Sequence, residues 1–130
     1  MNAGFKPVIV CHTVLAQLGG EHLANTAYRR GVEGDCIVAW GHRLLEWPLK
    51  GTPDTVEVTP PSVDTHYSNG GCAVDVDGDG IEEIVVARGE GRWPNNPEMV
   101  WFKEASARQA WECHLIARMG TGSGLAPHDI

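Results

Sequence analysis

Asp75, Asp77 and Asp79 occupy alternate positions in the stretch DVDGDGIEEIVVARGE, and Glu83 follows four residues after the last of them. Carboxylates this close repel one another unless a cation sits among them. Oxygen ligands at positions 1, 3 and 5 of a tight loop suit a hard divalent ion such as Ca²⁺. Gly78 and Gly80 offer backbone conformations that a residue with a Cβ resists, so the chain can turn around an ion. Position 7 falls on Ile81, through its carbonyl, and position 9 on the side chain of Glu83. The expected ligand set is therefore Asp75, Asp77, Asp79, Ile81 and Glu83, holding one Ca²⁺. The alternative is a solvated acidic turn with no ion.

An EF-hand opens in the same way but needs a Glu at position 12 and a helix after it. Position 12 here is Val86, and Ile84, Val85, Val86 and Ala87 read as a β-strand. The EF-hand is excluded, and a calcium loop running straight into a strand is expected instead.

Other residues capable of chemistry form no catalytic pattern. The six histidines, His12, His22, His42, His66, His114 and His128, lack H-x-H or H-E-x-x-H spacing. Ser123 in GTGSGLA is not in a strand–elbow–helix setting, and GEGRWP lacks the Lys-Ser/Thr of a phosphate loop. His66 and His128 are read as strand caps or, if they recur at the same position of two repeats, as a pair lining a funnel for a metal or substrate. Trp93 and Tyr67 are expected to be exposed, to stack on a sugar or to pack between sheets. Cys11, Cys36, Cys72 and Cys113 show no CxxC spacing and read as buried thiols, which suits a reducing compartment.

The elements that must hold the acidic loop come from a repeat. DCIVAWG, starting at Asp35, matches EIVVARG, starting at Glu83, and Trp47 in EWPLK matches Trp101 in VWFKE. VCHTVLA near the start echoes ECHLIAR near the end. Drifting offsets of about 50 residues are what loop insertions do to a repeated supersecondary unit. The later copy is expected to form strands at Gly71–Val76, Glu83–Arg88, Met99–Lys103 and Trp111–Ala117. The earlier copy is expected to form strands near Ile37–Trp40, Leu44–Trp47 and Thr55–Thr59, without a metal in RRGVEGDC. The only helical candidates are EHLANTAYRR and EASARQAW. The fold class is all-β, in four-stranded antiparallel units such as the blades of a β-propeller.

Composition narrows the partners. The 130-residue chain carries a net charge of −7, which argues against a nucleic-acid partner. It has no apolar run long enough to cross a bilayer, and MNAGFKPVIVCHTVLAQLGG lacks the features of a signal peptide, so a cytoplasmic location is favoured.

AVDVDGDGIEEIVVARGEG, followed by MVWFKEA and WECHLIAR, resembles the FG-GAP/VCBS type of repeat, the blade of integrin-alpha-like β-propellers. That resemblance covers Val63 to Ile130 well and Ala3 to Pro61 in outline. It implies a Ca²⁺ loop at Asp75, Asp77, Asp79, Gly80 and Glu83, in a module that recognises a protein or a carbohydrate. VWFKEA with WECHLIA is also similar to the propeller of aldos-2-ulose dehydratases, which implies the alternative of a sugar lyase. The blades are expected at residues 17–62 (degenerate), 63–118 (with the calcium loop) and 119–130 (the start of another). Closure of a propeller takes four to eight blades. The expectation is therefore a fragment, or an assembly with the remaining blades of the same polypeptide or with other copies. On that view Trp40, Trp47, Trp101 and Trp111 lie on faces that neighbours must cover, and the isolated chain is not a stable monomer.

Overall fold

The structure, a computed structural model, describes residues 23–50, 56–58, 65–90, 95–106 and 110–119. Eight strands run in chain order: β1 (Leu23–Gly31), β2 (Gly34–Gly41), β3 (Leu44–Pro48), β4 (Val56–Glu57), β5 (Thr65–Val74), β6 (Glu83–Glu90), β7 (Asn95–Ser106) and β8 (Ala110–Ala117). They form two antiparallel meanders, β1-β2-β3-β4 and β5-β6-β7-β8, and β4 is only a two-residue pairing on β3. There is no helix among the described residues.

Period-2 patterning explains the packing. Val38 and Trp40 of β2 point to one face with Leu44 and Val58, and meet Tyr67, Ile84, Val86, Val100 and Phe102 of the second sheet. Ala39, Leu45 and Trp47 form a separate cluster on the other face of the first sheet. In β6 every residue from Glu83 to Ala87 is buried. That accounts for its near-continuous β-branched sequence, since such side chains suit a pleated, covered surface.

The aligned repeat falls on equivalent strands. Asp35 and Glu83 lie at the starts of β2 and β6, and Trp47 and Trp101 both lie on third strands, β3 and β7. β5 begins at Thr65, six residues before the expected Gly71. The first sheet falls within 17–62 and the second within 63–118.

Several expectations are corrected. EHLANTAYRR is not helical: Leu23–Gly31 is β1, with Ala27 and Arg29 turned inward while Tyr28 and Arg30 are exposed. Its register against β2, from Leu23↔Gly41 to Gly31↔Gly34, is closed by a two-residue turn at Val32 and Glu33. Within EASARQAW, Glu104 to Ser106 end β7, and Ala110 and Trp111 open β8. Tyr67 is buried at 2% exposure, edge-on to Phe102, so it offers no stacking surface. Trp40 and Trp47 are buried and Trp101 and Trp111 half-buried, so the chain itself covers much of the tryptophan surface assigned to neighbours. Of the thiols, Cys36 is buried and Cys72 partly so, but Cys113 is exposed, and all three are free. Cys11 with the strand VCHTVLA, Trp93, Ser123, His128 and residues 120–130 lie outside the described residues.

Candidate metal centre

The loop between β5 and β6 is built by its own aspartates. Asp75 Oδ1 accepts hydrogen bonds from the Gly78 and Asp79 amides at 2.7 and 3.1 Å, and Oδ2 accepts from the Gly80 amide at 2.9 Å. Gly78 and Gly80 have φ of +81° and +89°, the left-handed region that the sequence assigned to glycine there. Asp79 Oδ1 accepts from the Ile81 amide at 2.8 Å. Together these bonds coil seven residues into a tight arc.

At the end of the arc the chain enters β6 through Glu83. Its side chain folds back, and Oε2 accepts from the Val76 amide at 2.7 Å. Asp75, Asp77 and Glu83 thereby each present a carboxylate oxygen within 4.8 Å of the others, a group that could hold a metal ion. Glu83 is only 1% exposed, and its Oε1 has no hydrogen-bond partner. Burial pushes the Glu83 carboxyl up from its ordinary range, the Val76 amide opposes this, and Asp77 and Asp79 push it further.

Of the four side chains expected as ligands, the structure gathers three; the fifth expected ligand is the Ile81 carbonyl. The Asp79 carboxylate instead holds the Ile81 amide and, at 3.1 Å, the Lys103 ammonium. The Ile81 amide thus faces Asp79, and the loop turns so that Gly80 and Ile81 lead directly to Glu82 and Glu83.

Lys103 is the residue that sequence reasoning missed. Its Nζ also pairs with Asp77 Oδ2, so one ammonium bridges two of the loop aspartates. Those hydrogen bonds, to Asp77 first and then Asp79, raise the Lys103 pKa. The Ile81 amide first, and then Lys103, holds the Asp79 carboxyl below its usual value. The signal was the strand register. β7 pairs with β6 at Ile84↔Phe102, which sets the next residue, Lys103, beside the start of β6. One positive charge among four carboxyl groups leaves the loop net negative.

A second polar centre lies one residue away. Arg29 is fully buried, with Nη1 2.6 Å from Glu46 Oε2, Nη2 2.8 Å from Glu104 Oε2, and Nε donating to the Glu82 carbonyl at 2.5 Å. The Trp111 ring lies over the guanidinium, 4.7 Å from its centroid. Desolvation works against the Arg29 charge, but Glu46 and Glu104 outweigh it and hold the guanidinium more firmly ionised than usual. Cys36 lies beside this group, its thiol pushed up to about 12 by burial and then by Glu46, which makes it a poor nucleophile.

The fold and site together define an all-β structure of two antiparallel sheets with a three-carboxylate group at the start of β6. Comparison of the chain with protein-family models, curated proteins and solved structures gave no match.

Proposed function

We propose that the chain is a calcium-stabilised recognition module of the propeller type, in which Ca²⁺ organises the β5–β6 loop and the module binds a protein or carbohydrate partner without chemistry of its own. The observation that carries the metal reading is Glu83 Oε1, an unpartnered carboxylate oxygen on a 1%-exposed side chain within the acidic group. A buried polar atom without a partner is costly, and a hard cation would satisfy it. All-oxygen donors favour Ca²⁺ or Mg²⁺ over softer ions, and several carboxylates converging from one loop favour the larger Ca²⁺, since Mg²⁺ keeps several of its waters. The repeat, the meander topology and the loop-into-strand arrangement support the propeller reading, in which further blades come from the same polypeptide or from other copies.

The test is calorimetric titration of chelator-treated protein with Ca²⁺, alongside thermal melts. One equivalent is expected to bind and to raise the melting temperature, more than Mg²⁺ does. Absence of both effects would leave the loop an ion-free acidic turn. The recognition role is tested by screening the calcium-loaded chain against a glycan array and by cross-linking to partner proteins.

A further inference from the structure

His42 and His66, which the sequence places 24 residues apart with no ligand spacing, meet across the seam between the two sheets. His42 lies in the turn between β2 and β3, and His66 on β5, the edge strand of the second meander. Their Nδ1 atoms are 3.4 Å apart, with the rings in an edge-to-face arrangement and centroids 4.9 Å apart. That separation is long for a hydrogen bond, whose donor–acceptor distance is about 2.7–3.2 Å. A tetrahedral ion with imidazole nitrogens at about 2.0–2.1 Å holds any two of them about 3.3–3.4 Å apart. The two nitrogens already stand at the spacing of neighbouring ligands on one ion. His42 is exposed and His66 half-buried, so an ion can reach them from solvent.

We propose that His42 and His66 form a second metal site, for a borderline transition ion that accepts tetrahedral coordination, Zn²⁺ above all, with Cu²⁺ as its spectroscopic stand-in. Neutral imidazole suits these ions, and the carboxylate group on the β5–β6 loop does not compete well for them. Among the described residues no third His, Cys, Asp or Glu side chain joins the pair, so the other coordination positions go to water or to an added ligand and the site is exchangeable. Because its donors come from different sheets, an ion there clamps the β2–β3 turn onto β5. The inference is independent of the calcium reading, since the two sites share no residue.

Cu²⁺ and Zn²⁺ serve as probes on the full chain, kept saturated with Ca²⁺ so that the carboxylate group is filled. One equivalent of Cu²⁺ is expected to give an electron paramagnetic resonance spectrum with hyperfine coupling to two imidazole nitrogens. His42→Gln and His66→Gln are each expected to remove one of those nitrogens and to weaken binding at least tenfold, while His114→Gln, on β8 and outside both sites, changes neither. In case a variant misfolds, Zn²⁺ titration of the wild type followed by histidine ring resonances provides a second reading, with shifts expected first at His42 and His66. Copper binding that survives both histidine substitutions unchanged, or zinc shifts centred on other histidines, would overturn the proposal. So would the absence of binding by both ions up to millimolar concentration.

Discussion

Glu83 has one carboxylate oxygen on the Val76 amide and the other without a partner, in a position almost sealed from water. Without an ion, its charge is opposed by burial first and then by Asp77 and Asp79, which is why its pKa is raised from 4.5. The sign follows from proton linkage. The folded form holds this proton more tightly than the unfolded chain does. The contribution from Glu83 therefore falls as pH rises from 4.5 through the raised value, and ionised Glu83 costs stability above it. Asp79 has the opposite sign: its pKa is lowered, so its stabilisation is present above the ordinary aspartate range and lost as pH falls below it. In chelator at neutral pH, Glu83→Gln is expected to be at least as stable as the wild type, because it removes a buried charge. It is also expected to lose the calcium-induced rise in melting temperature. Thermal melts with and without Ca²⁺ check both, and a variant that keeps the full calcium response would exclude Glu83 as a ligand. Lys103→Met removes the ammonium that bridges Asp77 and Asp79. It is expected to destabilise the ion-free form but tighten Ca²⁺ severalfold, which calorimetry can measure. Asp75, Asp77, Glu83 and the two glycines were legible in the sequence because the loop makes itself from neighbours along the chain. Lys103 was not, because its place depends on the β6–β7 register.

At the scale of elements, the close approach of the two sheets rests on one missing side chain. A Cβ on Gly71 would stand 2.6 Å from Trp40 Cζ2 and 2.9 Å from Val86 Cγ1. Trp40, fully buried, also donates from its indole to the Ser68 carbonyl at 3.0 Å, so it cannot retreat without losing that bond. Gly71→Ala is expected to cost about 1–3 kcal/mol by overpacking, read as a lower urea midpoint with an unchanged slope. Gly71 marked a strand in the sequence, but the ring that fills its place comes from the other meander and left no local trace. The strand β1 was hidden for a related reason. Glu21, Leu23, Ala24 and Ala27 favour a helix locally, whereas the inward Ala27 and Arg29 gain their contacts from β2, from Glu46 of β3 and from the second sheet. Tertiary contacts override so weak a propensity. The Val32–Glu33 turn also lacks the Asn-Gly or Asp-Gly pair that announces a two-residue hairpin, although Gly34 after it does take φ of +120°.

Across the whole molecule, the acidic loop and the Arg29 centre are neighbours on two strands. Glu82 receives Arg29 through its carbonyl, and its own amide and carboxylate hold the backbone of Arg30 at 2.9 and 2.7 Å; the next residue, Glu83, belongs to the carboxylate group. On β7, Lys103 serves the loop while Glu104 serves Arg29. The two meanders were legible because their strands repeat along the chain; this bridge was not, because Arg29, Glu46, Glu82 and Glu104 carry no pattern until the sheets meet. The shared core and this bridge make the sheets one unit, so the described strands are expected to melt in a single transition. Arg29→Met leaves Glu46 and Glu104 buried against an apolar side chain and is expected to cost about 3–5 kcal/mol. The loop depends on Glu82 for its exit direction, so the same change is expected to weaken Ca²⁺ binding although Arg29 touches no ligand. A double-mutant cycle with Asp77→Asn, run by urea unfolding in saturating Ca²⁺, isolates that coupling. An interaction energy of roughly 0.5 kcal/mol or more is expected for centres so closely joined. Additive effects, or two separate transitions in the wild type, would mean that the loop and the arginine bridge act independently.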